Sequence, residues 1–286
     1  MSSKINNYLS LVKFSHTIFA MPFALIGFFM ATQIVNFNID WKILLLVILD
    51  MVFARNAAMG FNRYLDRDID SKNNRTEVRE IPAGKLTANQ ALIFVIINSI
   101  AFVVATAFIN NLTLLLSPIA LIVILGYSYT KRFTPLCHIV LGVGLGLAPI
   151  GAFLAVTGEF YLTPVLLSFV VLFWVSGFDI IYALQDEEFD KKYKLKSIPV
   201  LLGKKNALML SSVLHFFAFA LLLFIGYYAN YTLFYWIGVM FFAVVLIYQH
   251  LLVKPNDLSK VNLAFFTLNG IASVVFAMFF ILELFL

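Results

Sequence analysis

The chain has 286 residues, 62% of them hydrophobic and only 12% charged, with a net charge of +5 and a mean hydropathy of +0.94. Apolar runs recur along its whole length and phenylalanine alone occurs 31 times, which excludes an ordinary water-soluble domain. The positive excess lies in the short segments between apolar runs, so no nucleic-acid partner is needed to explain it.

Nine apolar runs approach the roughly 20 residues needed to cross a bilayer. They are 16–35, 43–62, 88–108, 112–129, 138–156, 164–182, 207–228, 233–252 and 263–284. Lipid offers backbone amides no partner, so each is expected to be a helix. The expected fold is all-α: a polytopic integral membrane protein of nine transmembrane helices. Residues 1–286 are read as a single domain, with no linker or low-complexity segment. The first run follows Lys4 and Lys13, is too long for a signal core and lacks a small-x-small cleavage site, so it is expected to remain as a span.

The second run holds Asp50 and Arg55 and leads into Asn62, Asp66 and Asp70. Steps of seven, four and four place Arg55, Asn62, Asp66 and Asp70 on one stripe of a continuous helix. Ionisable groups at a membrane edge are costly and usually functional. Arg55 either contacts Asp50 structurally or meets an anion in a cavity. Asp66, Asp68, Asp70 and Glu77 have the spacing of a calcium loop, but Ser71 stands where such a loop needs glycine. Arg75 and Arg79 follow close enough to the carboxylates to suit phosphate, whereas Lys85 reads as a positive-inside anchor.

Between the fourth and fifth runs stands Tyr127-Ser-Tyr129-Thr-Lys131-Arg132. This basic pair suits either a leaving diphosphate or a membrane anchor, and arginine can grip phosphate with two prongs. Cys137 is the single cysteine, which excludes an internal disulfide. In the fifth run Gly142, Gly144, Gly146, Ala148 and Gly151 make a small-residue face suited to close helix packing.

The sixth run ends in a second acidic motif, Asp179, Tyr182, Asp186 and Asp190, whose spacing again predicts one helical face. Tyr182 reads as a diphosphate donor or as an interfacial aromatic. The run Lys191, Lys192, Lys194 and Lys196 is mainly a topology signal. His16, His138, His215 and His250 have no metal-ligand spacing and are expected to be packed or interfacial.

Five of the fifteen acidic residues fall in these two motifs. Carboxylates four residues apart on one face can share a divalent cation, and two such faces together would make a cradle for magnesium and diphosphate. Of the 20 Lys and Arg residues, all but Lys42 and Arg55 fall on one side of a nine-span topology. The positive-inside rule therefore places the N-terminus and both acidic motifs in the cytoplasm, in the inner (cytoplasmic) membrane. The motifs lie four spans apart, so each half of a parallel pseudo-repeat would deliver one of them to a central cavity open to the cytoplasmic side.

The strings Asn62-Arg-Tyr-Leu-Asp66-Arg-Asp-Ile-Asp70, Asn74-Arg75-Thr76 with Arg79, Pro82 and Gly84, and Asp179-Ile-Ile-Tyr182-Ala-Leu-Gln-Asp186 through Asp190 resemble the two signatures of the UbiA superfamily of intramembrane aromatic prenyltransferases. Ser197-Ile198-Pro199, Gly203 and the Lys131-Arg132 loop fit as well. The 4-hydroxybenzoate polyprenyltransferase-like subfamily is the most similar. One departure is Arg63, where many members carry aspartate, so the first metal site has one carboxylate fewer. The run from Arg55 to Arg63 also resembles a branch that prenylates 1,4-dihydroxy-6-naphthoate in a futalosine-type menaquinone pathway.

The resemblance implies transfer from polyprenyl diphosphate to an aromatic acid, ortho to its phenol, in quinone biosynthesis. It implies Mg²⁺ held by Asn62, Asp66, Asp70, Asp186 and Asp190, with the four aspartates catalytic. Arg55, Asn62, Arg75, Arg79, Lys131, Arg132, Asp179 and Tyr182 would bind substrate, Arg55 taking the acceptor's carboxylate. The lipid bilayer is the expected surrounding, and no obligate protein partner is evident. A cation-coupled transporter is the competing class, but its charges should lie near the midplane rather than at one rim.

Overall fold

The computed structural model describes residues 2–12 and 20–286. Lys13, His16 and the start of the first expected span lie outside the described residues. The described chain is helical throughout, without a strand: α1 (Ser2–Leu11), α2 (Met21–Ile34), α3 (Trp41–Asp70), α4 (Ala88–Ala107), α5 (Asn111–Thr130), α6 (Cys137–Thr157), α7 (Leu162–Ala183), α8 (Glu187–Lys192), α9 (Ile198–Tyr228), α10 (Leu233–Leu252) and α11 (Asn269–Leu284). A 3₁₀ turn, Leu184–Asp186, joins α7 to α8, and a π-helical turn, Leu263–Leu268, precedes α11.

Among the described residues eight helices are long and apolar enough to cross a membrane, which leaves one of the nine expected spans unconfirmed. That span, the first, is described only from Ala20 onward, where it forms α2, 14 residues or about 21 Å of helix. Most of its residues are buried. Phe23, Ala24, Ile26, Phe28 and Ala31 are wholly buried, and a Cβ on Gly27 would collide with the Pro149 carbonyl of α6.

Around α2 the core is a cluster of large aromatics, with Phe23, Trp174, Tyr235, Phe242, Phe276 and Phe280 all buried. Outward-facing Leu115, Ile122, Tyr227, Leu233 and Leu251 leave a broad apolar surface. Such a surface is stable in lipid and a liability in water.

The small-residue face of α6 divides in two. A Cβ on Gly146 would stand 2.8 Å from the Ser168 carbonyl oxygen, and one on Gly142 would strike Leu172 and Ser176, so these two permit the contact with α7. Gly144, Ala148 and Gly151 instead line a cavity of about 390 Å³ bounded by α3, α4, α5 and α6. A Cβ on Gly151 would meet nothing within 4 Å. Packing therefore explains two of the five residues of this face, and the other three make space.

The two acidic motifs are built differently. Asp40 caps α3 by accepting from the Lys42 and Ile43 amides, and the helix then runs unbroken through Asp70, as the spacing predicts. The second motif is not one continuous α-helical face. The 3₁₀ turn shifts the register between Tyr182 and Asp190, so Asp186 ends that turn and Asp190 lies on the separate helix α8. Helix α9 begins nine residues before the expected span because Gly203, at φ +74°, bends a first short segment away from the rest.

Candidate active site

One face of α3 connects the cavity to the acidic rim. Asp50, Arg55 and Met59 line the cavity. Asn62, Asp66 and Asp70 continue the stripe at three- and four-residue steps, rising about 5.4 Å per turn beyond it. The walls are otherwise mostly apolar, among them Met51, Phe102, Leu116, Val123, Leu145 and Phe160, with Thr106, Thr113, Ser117 and Tyr127 as further polar groups.

At the rim each carboxylate meets one basic side chain. Arg132 Nη2 donates to Asp66 Oδ1 at 2.9 Å, and Asn62 Nδ2 donates to Asp66 Oδ2 at 3.1 Å. Arg79 Nη1 donates to both Asp70 oxygens, at 2.6 and 2.8 Å. Arg75 grips Asp186 with two prongs, Nε lying 3.0 Å from Oδ1, while Asn73 Nδ2 adds a third donor at 3.1 Å. Lys131 Nζ lies 2.8 Å from Asp190 Oδ1.

Burial makes this pairing obligatory. Asp70, Asp186 and Asp190 are buried, and an uncompensated charge there costs several kcal/mol. The pairs also cross between the motifs. Arg75 leaves the first motif to bind the second, whereas Lys131 and its neighbour Arg132 divide between the two. Burial opposes the charge on Lys131, but the Asp190, Asp186 and Asp66 carboxylates together outweigh it and hold the ammonium above its ordinary range. Arg75 behaves alike: burial is outweighed by Asp186 and Tyr182 together, and its net shift is upward.

Local chain features set the reach of these bases. Asn73 Oδ1 accepts the Arg75 amide at 3.0 Å, and Thr76 Oγ1 donates to the Asp70 carbonyl at 3.1 Å, folding the loop back over the end of α3. Gly84, at φ +71°, turns the chain toward α4. The Lys131 carbonyl accepts the Lys196 amide at 2.8 Å, tying the loop after α5 to the segment before α9.

Tyr182 stands beside the Arg75–Asp186 pair. Its hydroxyl accepts from Arg75 Nη1 at 2.9 Å, and its ring stacks on Phe265 with centroids 4.1 Å apart. Asp179 lies apart from the four rim pairs and binds His138 Nδ1 at 2.7 Å. The Ile198 amide donates to His138 Nε2 at 3.3 Å, which requires a lone pair there and leaves the proton on Nδ1 facing Asp179. Reading histidines by metal-ligand spacing missed this pairing, because it joins residues 41 apart on different helices.

Asp50 and Arg55 do not form the structural pair considered from sequence. Asp50 Oδ1 and Arg55 Nε are buried without hydrogen-bond partners, and both residues face the cavity. Arg63 is buried as well, its Nε unpartnered. The calcium-loop alternative finds no support, since Asp68 is exposed and no three His, Cys, Asp or Glu side chains gather as a metal cluster among the described residues.

The donor set itself suits a hard cation. Asp66, Asp70, Asp186 and Asp190 offer only oxygens, and Asn62 turns its nitrogen to Asp66, leaving its amide oxygen as a further hard donor. Mg²⁺ needs just one or two carboxylates when substrate phosphates and water complete its shell. The residues present therefore fit Mg²⁺ without a preformed cage.

Fold and site together define a multi-pass membrane protein with an apolar cavity beneath an acid–base rim. A model of the UbiA prenyltransferase family matches residues 20–271, and the chain belongs to that family. It is 32% identical over 239 residues to a 4-hydroxybenzoate octaprenyltransferase of Tolumonas auensis, covering 83% of each. It is 31% identical over 238 residues to the enzyme of the same name from Vesicomyosocius okutanii, covering 83% of this chain and 86% of that one. The apo structure of a UbiA homolog from Aeropyrum pernix K1 superimposes with a TM-score of 0.83 at 30% identity, over 94% of this chain and 98% of that one. A homolog from Archaeoglobus fulgidus, solved with DMAPP and Mg²⁺, shares the fold at a TM-score of 0.75 and 21% identity, over 98% of this chain and 99% of that one. These relatives support a membrane-embedded aromatic prenyltransferase of quinone biosynthesis and lend no support to a transporter.

Proposed function

We propose that this protein transfers a polyprenyl group from polyprenyl diphosphate to an aromatic acid of the 4-hydroxybenzoate type, ortho to the phenol. The observation that carries this reading is the juxtaposition of an apolar cavity with a rim where four basic side chains pair with the carboxylates of two acidic motifs. The names of the bacterial relatives favour 4-hydroxybenzoate as acceptor. Lysine and arginine placement favours a cytoplasmic-side rim in the inner membrane.

In the reaction the C1–oxygen bond of the prenyl diphosphate breaks, a bond forms from C1 to the ring carbon, the ring loses its proton, and diphosphate leaves. Asn62, Asp66, Asp70, Asp186 and Asp190 would hold Mg²⁺, which when bound neutralises negative charge on the diphosphate. Arg75, Arg79, Lys131 and Arg132 orient the diphosphate and stabilise charge as it departs. Arg55, unpaired in the cavity, receives the acceptor's carboxylate. Asp179 and Tyr182 hold the second side of the site, and the apolar walls keep water from the allylic carbon.

The test is product detection. Membranes containing the protein receive a polyprenyl diphosphate, Mg²⁺ and either 4-hydroxybenzoate or 1,4-dihydroxy-6-naphthoate, and lipid extracts are read by mass spectrometry. Prenylated hydroxybenzoate is the expected result. Product from the naphthoate alone would reassign the acceptor, and none from either would remove the reaction.

A further inference from the structure

The last span begins with a π-helical turn, Leu263–Leu268, and a buried polar network holds it in place. A π turn shifts the backbone register by one residue and leaves carbonyls in need of other donors, and such turns concentrate at functional sites. Here Gln249 Nε2 of α10 donates to the Ala264 carbonyl at 3.2 Å, and Asn269 Nδ2 donates to the Phe265 carbonyl at 2.9 Å. The two amides are joined, Gln249 Nε2 donating to Asn269 Oδ1 at 2.6 Å, and Trp174 Nε1 of α7 donates to the same oxygen at 3.2 Å. All three side chains are wholly buried.

The residue between these two anchored carbonyls and the site is Phe265. Its ring stacks on Tyr182 at 4.1 Å, Phe266 meets the same ring edge-on at 5.6 Å, and Tyr182 accepts from Arg75, which grips Asp186. General interhelical hydrogen bonding would explain amides between α10 and α11. It would not require them to land on the carbonyls of the π turn that carries Phe265.

We infer that Gln249 and Asn269 are positioning residues for the reaction: they fix the π turn so that Phe265 sets the orientation of Tyr182 and, through it, the Arg75 clamp on the diphosphate. This rests on the proposed reading of the rim as a diphosphate site. The device acts on the prenyl donor and leaves the acceptor's carboxylate, at Arg55, untouched.

The test is binding of geranyl diphosphate with Mg²⁺ to protein in nanodiscs, for Gln249→Met and Phe265→Leu, each alone and combined with Tyr182→Phe. Each single variant is expected to weaken binding roughly tenfold or more, the scale of supporting-residue effects. In the Tyr182→Phe background the same change is expected to cost less than about twofold, because the link it acts through is already cut. Equal losses in both backgrounds, or no loss, would overturn the inference; should Gln249→Met not fold, Phe265→Leu is judged by the same criterion. Wild-type protein that binds no geranyl diphosphate would overturn the proposed site itself, and this inference with it.

Discussion

Arg75 and Asp186 are 111 residues apart in sequence and joined by a two-pronged ion pair. Arg75 belongs to the loop after the first acidic motif, Asp186 to the second motif, so this contact makes one site from two. If it does so for diphosphate binding, Arg75→Met and Asp186→Asn each lower kcat/KM by roughly 100-fold or more, while the double variant falls far short of the product of the two losses. A double-mutant cycle on kcat/KM for the prenyl donor measures this coupling, and additivity would contradict it.

Asp66→Ala and Asp186→Ala abolish prenyl transfer while the protein still purifies as a folded species. Chelating divalent cations from wild-type membranes does the same, and added Mg²⁺ restores the activity. Full turnover after chelation would exclude the metal.

Arg55→Met raises KM for the aromatic acid on the order of 10- to 100-fold, since an arginine–carboxylate contact of about 1.5–3 kcal/mol is lost. KM for the prenyl diphosphate stays near wild type. The reverse pattern would place Arg55 on the diphosphate.

His138→Gln retains most activity and His138→Leu loses roughly 10- to 100-fold of it, as expected for a group that orients a site residue. A glutamine amide carries a donor and an acceptor at a spacing close to that of the imidazole nitrogens, so it can serve Asp179 and the Ile198 amide together. Loss of activity in both variants, with the fold intact, would mean that the ring itself is needed.

The division of the α6 glycines is tested by adding bulk. Gly151→Leu projects into the cavity and lowers turnover of long-chain donors with little loss of stability. Gly146→Leu forces α6 from α7 and destabilises the protein by about 1–3 kcal/mol or more, because its Cβ would stand 2.8 Å from the Ser168 carbonyl oxygen. Thermal unfolding in detergent separates the two.

What the sequence made legible was whatever a single helix determines. The stripe from Arg55 to Asp70 follows from helical periodicity alone, and α3 is continuous over it. Contacts between distant segments were not legible in that way. No spacing rule pairs His138 with Asp179 or divides Lys131 from Arg132, because the bundle fixes those distances. The second motif misled for a local reason: its three- and four-residue steps fit a helix, yet the chain tightens into a 3₁₀ turn at Leu184–Asp186. Composition could not foresee the two uses of the α6 glycines either, since glycine is equally what close packing and open space require.

The central claim, that both acidic motifs serve one diphosphate, is tested most directly by calorimetric titration of geranyl diphosphate with Mg²⁺ into wild-type, Asp70→Asn and Asp190→Asn protein in nanodiscs. The account predicts one bound molecule per chain and a large loss of affinity when either motif is changed. Two molecules per chain, or a variant in one motif that binds as wild type does, would contradict it.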